Sequence, residues 1–250
     1  MTINSNLTAD AWDGQTGGII ALECQNNLIL NASGTIDANE IGFRGGIEDY
    51  AATGSGSWNV ALTNTDGGGL KGESIFGYDT DYNTIGGKYG YGAPANGGGG
   101  GNSHNGGGGG GANAGDVNNW QNGVGVPSPI YNTAWALESP PINGIIATGG
   151  GKGGYTFSSN NSNPNTNGPN DYGAWGGDGR RPLGGLGGRP LDYSTGKIFF
   201  GGGGGAGDFN DRQTLGGQGG RSGGIVFIEC RETISGTGTI KANGADGSGA

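Results

Sequence analysis

A single histidine, His104, two cysteines, Cys24 and Cys230, and 21 carboxylates are the side chains from which this 250-residue chain would have to build a metal centre or an activated nucleophile. Zinc, haem and Ser-His-Asp chemistry need several His or Cys ligands, or a histidine base oriented by a third group, and one His does not supply them. No Gly-Lys-Ser or Gly-Lys-Thr completes a phosphate loop, and "GGKGGY" lacks the strand-to-helix setting that such a loop requires. Paired carboxylates for glycoside hydrolysis must flank a cleft, whereas the acidic residues here are scattered. The residues therefore read as non-catalytic and without a cofactor. One metal candidate remains. "DTDYNT" sets Asp79, Asp81 and Asn83 at alternate positions, as at the start of a calcium loop, but it lacks the sixth-position Gly and has Gly90 where the twelfth-position Glu would stand. An ordinary polar turn is the other reading.

The two cysteines say more through their positions. "GGIIALECQNNLILNASGTIDAN", residues 17–39, returns as "GGIVFIECRETISGTGTIKAN", residues 223–243, with Gly-Gly-Ile, Glu-Cys, Gly-Thr-Ile and Ala-Asn recurring in order. This is an internal repeat. Within each copy the apolar residues alternate: Ile20, Leu22 and Cys24 match Val226, Ile228 and Cys230, and Ile36 and Ala38 match Ile240 and Ala242. That period of two predicts half-buried strands, broken by the turns "NASG" and "SGTG" as in a hairpin, a meander or a solenoid rung. Two copies so far apart can stack or pair, closing the base of everything between them. Cys24 and Cys230 would then be neighbours in one core, either as a disulfide or as two buried thiols.

What lies between the copies has an unusual composition. Gly makes up 65 of the 250 residues, against a usual share of about 7 %. The glycines gather in clusters near 67–69, 97–101, 106–111, 149–154, 184–188, 201–205 and 216–220, each followed by a polar or aromatic loop. Collagen is excluded, because a triple helix needs Gly strictly at every third residue. Disordered chains are poor in aromatics and rich in charge, but this one has 5 Trp, 9 Tyr and 7 Phe with 13 % charged residues. A helical middle is disfavoured by about 1 kcal/mol per Gly relative to Ala. The remaining candidate is an extended threefold helix whose backbone bonds sideways to neighbouring rods. Ordering a residue costs about 1–2 kcal/mol, and a lateral amide hydrogen bond returns about 0.5–1.5 kcal/mol. Such a bundle therefore needs many cooperating rods and anchored ends. On this reading "GGGGGNSHNGGGGGG" is two rods joined at a short turn that carries His104.

Three stretches resemble known glycine-rich proteins. "INGIIATGGGKGGYTF", with "GAWGGDG" and "GGGGGAGD" after it, is similar to the glycine-rich domain of anaplastic-lymphoma-kinase-type receptors, over about residues 140–250. "GGGGGNSHNGGGGGG" resembles the tip adhesins of T4-like phage tail fibres. The terminal "GGIVFIEC…GTGTIKANG" unit resembles glycine-rich repeats of bacterial surface adhesins and fibres. The first two resemblances imply packed polyglycine II (PGII) helices whose connecting loops carry recognition.

The fold expected is mostly irregular and all-β: a bundle of polyglycine II helices with long loops, flanked by short β-strands with β-sandwich or β-solenoid-like ends, and essentially no α-helix. Its units would be an N-terminal β unit at 1–46, the glycine-rich bundle at 47–222 and the C-terminal copy of the β unit at 223–250. Aromatic and Asn-rich loops are the candidate receptor contacts, through Trp58, Trp120, Tyr131, Trp135, Tyr155, Phe157, Tyr172 and Trp175, with His104 at its turn. The same rings could instead cap the glycine bundle.

A net charge of −9 repels phosphate backbones, so nucleic acid is not an expected partner. No run of about 18 apolar residues is present, so membrane insertion is not expected either. "MTINSNLTADAWDG" lacks the basic and apolar regions of a secretory signal. The function expected is a non-catalytic extracellular adhesion or structural module of a bacterial surface adhesin or fibre, either an excerpt of a longer repeating protein or one that ends at a natural terminus. Its partners would be a host or neighbouring cell-surface protein or glycan, or further copies of itself. The alternative is a phage tail-fibre tip on the virion surface that recognises an outer-membrane protein or glycan.

Overall fold

In a computed structural model of the chain, the residues described are 1–47, 69–90, 95–101, 107–113, 185–192, 194, 196–207 and 217–248. The strands are short: β1 (Thr2–Ile3), β2 (Asn6–Leu7), β3 (Ile19–Cys24), β4 (Leu28–Leu30), β5 (Thr35–Asp37), β6 (Ile225–Cys230), β7 (Ile234–Gly236) and β8 (Thr239–Lys241). Among the described residues α1 (Asp79–Thr84), a short helix, is the one α-helix.

The strands form three small parallel sheets, in the orders β1-β4-β7, β2-β5-β8 and β3-β6. The two repeat copies lie directly on each other. Ile19 pairs with Ile225 and every residue follows in register up to Cys24 with Cys230, and Leu28 pairs with Ile234 and Thr35 with Thr239. Each copy is thus one turn of a three-sided coil, with one strand on each side, and hairpin pairing within a copy is not what the alternation encodes. Parallel stacking places like residue on like residue at most inward positions, with Gly236 opposite Leu30 as an exception.

Residues 1–9 add a partial turn beneath the first copy, where Ile3 pairs with Leu30 and Leu7 with Ile36. Its strands are two residues each and carry neither the Gly-Gly-Ile nor the Glu-Cys signature, so the repeat did not reveal them. The core lies inside these turns: Leu28 and Ile36 are fully buried, with Ile3, Ile20, Cys24, Leu30 and Ala38 around them.

Cys24 and Cys230 are register partners, as the repeat predicts, and both thiols are free. The Cys230 thiol donates to the Asn26 carbonyl at 2.8 Å.

Between the copies, glycine segments run side by side, joined by backbone hydrogen bonds. The amides of Gly98, Gly99 and Gly100 donate to three different segments, at the carbonyls of Gly203, Leu186 and Gly90, each at 2.8 Å. Gly101 then returns to the first of these, at Ala206. Elsewhere Gly46 donates to Gly204, Gly204 to Gly220 and Gly219 back to Gly46, closing a ring of three segments. Only glycine permits this spacing: a Cβ on Gly100 would stand 1.7 Å from the Gly69 carbonyl oxygen, and one on Gly202 would stand 1.7 Å from that of Asn96.

The flanks of the repeat join the same network. Ala245 donates to Arg221 and Ser248 to Gln218, while Phe43 accepts from Ser222.

Candidate functional site

Beside the coil, three rings from distant parts of the chain pack together. Trp12 comes from the loop between β2 and β3, Phe43 follows β5, and Phe200 opens a glycine segment. Their centroids lie 4.9 Å (Phe43–Phe200), 5.5 Å (Trp12–Phe200) and 6.1 Å (Trp12–Phe43) apart in tilted and edge-on arrangements, as aromatic quadrupoles prefer. This cluster joins the coil to the glycine segments, where neither has a large aliphatic core of its own.

Against it sits an ion pair whose carboxylate is buried. The Glu73 carboxylate accepts from Arg44 Nη2 and Nε, both at 2.9 Å, from the Arg44 backbone N–H at 2.8 Å and from Trp12 Nε1 at 3.0 Å. Four donors occupy its lone pairs. The carboxylate holds three parts of the chain together. Arg44 also donates to the Asp13 carbonyl and lies 4.3 Å over the Tyr78 ring. Its guanidinium is held even more firmly charged than usual, chiefly by the hydrogen bond to Glu73. The Tyr78 hydroxyl donates to the Gly45 carbonyl at 2.7 Å, and burial, against the pull of Arg44, pushes its pKa up to about 12.

The far wall is α1 and the turn before it. Asp81 Oδ2 accepts the Tyr78 N–H at 3.0 Å and closes the first turn, and Thr84 bonds back to the Asp81 carbonyl. This capping explains why a helix forms where the glycine-rich context argues against one. Asp79, Asp81 and Asn83 therefore lie on a helical turn and not in a calcium-type loop, and Asp79 pairs with Lys88 at 2.6 Å. Among the described residues no group of His, Cys, Asp and Glu converges as a metal site.

Tyr82, fully buried, donates to the Gly72 carbonyl at 2.9 Å. Ile75 and Phe76, 47 % and 51 % exposed, form the rim, with Phe76 stacked on Tyr82. Asn96 locks the turn from behind: its Oδ1 accepts the Ile75 N–H at 3.0 Å, and its Nδ2 donates to the Phe200 carbonyl at 2.9 Å. Trp12, Phe43, Phe200, Tyr78, Ile75 and Phe76 line a groove of about 660 Å3 with an aromatic floor and an apolar rim flanked by Asp79 and Asp81. Concave surfaces that combine aromatic walls with a few polar groups are the kind that take ligands. A second groove of about 770 Å3 is lined mainly by glycines, together with Asn113, Arg221, Ser222 and Asp246, from segments 108–113, 201–205, 219–223 and 242–247.

The receptor-contact candidates Trp58, His104, Trp120, Tyr131, Trp135, Tyr155, Phe157, Tyr172 and Trp175 lie outside the described residues. What sequence reasoning missed is the set Trp12, Arg44, Glu73, Tyr78 and Asn96. A signal was available. In a chain with 13 % charged residues, "FRGG" and "KGES" each insert charge directly beside glycine, where a buried partner is needed.

Compared with known proteins, the chain matches no family model, no curated protein and no solved structure.

Proposed function

We propose that the chain is a non-catalytic extracellular module of a bacterial surface adhesin or fibre, in which a polyglycine II bundle, clamped between stacked β turns, is the rigid base for recognition loops. The observation that carries this reading is the bonding of residues 98–101. Three successive amides address three different neighbours and the fourth returns to the first, which supports a reading with three residues per turn and lateral bonding. Collagen aside, a backbone bonded in this way has one evident use, which is stiffness without side chains.

The clamp supports the same reading. Everything from residue 39 to residue 224 is inserted between two turns that pair residue by residue, so the inserted segments begin and end at a fixed base. Loops held on rigid scaffolds are a recurrent way to build recognition surfaces. The partner is a protein or glycan of a host or neighbouring cell surface.

The test is binding of the labelled chain to panels of bacterial and host cells and to a glycan array, with Trp120→Ala and Trp135→Ala as variants. Saturable binding that either variant weakens at least tenfold, with unchanged melting temperature, is the expected result. Binding no greater than that of an unrelated acidic protein on every surface would overturn the reading.

A further inference from the structure

Around α1 three aromatic rings each lie beside a carboxylate. In the first pair, Tyr78 and Glu73, the chain supplies a cation itself: the Arg44 guanidinium lies 4.3 Å over the ring and donates to the carboxylate through Nε and Nη2. In the second, Tyr89 and Asp79, the cation is Lys88, with Nζ 5.1 Å from the ring centroid and 2.6 Å from the carboxylate. A cation held in this way is attracted by the negative face of the ring and by the carboxylate together.

The third pair is Phe76 and Asp81. One face of Phe76 rests on the buried Tyr82, with 5.9 Å between centroids and 10° between planes, while the ring stays 51 % exposed and lines the aromatic groove. The Asp81 carboxylate lies over Gly77, beside that ring: its Oδ2 accepts the Tyr78 N–H, and a Cβ on Gly77 would collide with it. Asp81 is exposed and lines the same groove. Among the described residues no cation reaches it, since the ion pairs formed there engage Glu73 and Asp79. Two of the three pairs thus hold a cation of this chain, and the third is open.

We propose that Phe76 and Asp81 form a docking site for an arginine side chain of a partner protein, with the guanidinium stacked on the open face of Phe76 and its N–H fork on Asp81, and an apolar neighbour of that arginine against Ile75 and the ring floor. This goes beyond the adhesin reading, because it names a protein partner and a site that involves none of the loop candidates, and it stands on the groove alone. Charge complementarity selects the occupant. Arg44, the one cation among the described residues that line the groove, is taken up by Glu73, so Asp81 stays uncompensated in a chain of net charge −9. An anion would be repelled, and a neutral sugar would use the rings but not the charge. Arginine suits the pair better than lysine, since a planar, weakly hydrated guanidinium stacks on a ring and forks onto a carboxylate at once, as Arg44 does. A groove of about 660 Å3 has room for more than one side chain, which is why an apolar neighbour belongs to the motif.

The test is NMR titration of the isotope-labelled intact chain with the blocked peptide acetyl-Leu-Arg-Leu-amide and, in parallel, with the same peptide carrying citrulline, which keeps the shape of arginine without its charge. Saturable shifts of the Phe76, Gly77 and Asp81 amides are expected, with the citrulline peptide at least about tenfold weaker. Asp81→Asn keeps an acceptor for the Tyr78 N–H and Phe76→Leu keeps an apolar side chain, and each should weaken the arginine peptide at least about threefold. Should a variant not fold, the two peptides on the wild-type chain decide alone. Equal affinity for both peptides overturns the proposal, as does the absence of shifts at these amides up to about 10 mM peptide. So does arginine-dependent binding that either folded variant leaves unchanged. Saturation of the same amides by the neutral trisaccharide of N-acetylglucosamine, without a response to the arginine peptide, also overturns it and makes the groove a glycan site.

Discussion

Thr233 and Asn27 stand 206 residues apart, yet the Thr233 backbone N–H, at 3.2 Å, and its hydroxyl both donate to the Asn27 carboxamide oxygen. The contact joins the bend after β3 to the bend after β6, where the copies read "QNN" and "RET" and share no residue. Register is thus fixed at the bends as well as along the strands, and the glycine insertion is closed at its base.

If the glycine segments pack by backbone contact, their tolerance of a methyl group must vary sharply with position. Gly100→Ala sets a Cβ 1.7 Å from the Gly69 carbonyl oxygen, and neither backbone can yield without breaking its own lateral bonds. It should cost more than about 3 kcal/mol and be read as a large fall in melting temperature. Gly87→Ala is the control, because its nearest contact is the Ile85 side chain at an ordinary 3.8 Å, and it should change stability by less than about 0.5 kcal/mol.

The two ion pairs should behave differently. The Glu73 side chain is 5 % exposed, and removing it in Glu73→Ala strands the Arg44 guanidinium and Trp12 Nε1 together. Because the Arg44 side chain keeps 30 % exposure, the loss costs about 1–3 kcal/mol, measurable by urea denaturation. Asp79 pairs with Lys88 at 39 % side-chain exposure, and Asp79→Ala should cost less than about 1 kcal/mol.

Lys71 gives the fold a pH signature. It is buried, with Nζ donating to the Gly90 carbonyl at 3.0 Å, and burial pushes its ammonium down to about 8. An unfolded lysine titrates near 10.4, so between these values the unfolded chain holds the extra proton and stability rises with pH. Its contribution is complete above about 10.4 and lost as pH falls through 8. Tyr78 and Tyr82 act in the opposite sense. Burial raises both, so the unfolded chain loses their protons first and stability falls above pH about 10. Denaturation midpoints should therefore peak between pH 9 and 10 or so, and Lys71→Met should abolish the rise between pH 8 and 10.

The fold was legible wherever a residue type is repeated with the same neighbours. Ile20, Cys24 and Ile36 with their mates Val226, Cys230 and Ile240 announced both the strands and their register. What the alternation could not announce was the sense of pairing, because parallel turns and antiparallel hairpins bury the same alternate residues. The stretches β1 and β2 are too short to show any period. The aromatic groove stayed hidden for another reason. Trp12, Phe43 and Phe200 meet only after the insertion is closed, and nothing local in the chain marks three rings so far apart as neighbours.

The central claim is that the glycine segments are a bonded framework and not linkers, and amide hydrogen exchange of the native chain tests it most directly. The account predicts that Gly98, Gly99, Gly101, Gly203 and Gly205, each donating to a neighbouring segment at 2.8–2.9 Å, exchange as slowly as the amides of β3. Exchange of these glycines at the rate of an unstructured peptide, while β3 remains protected, would contradict it.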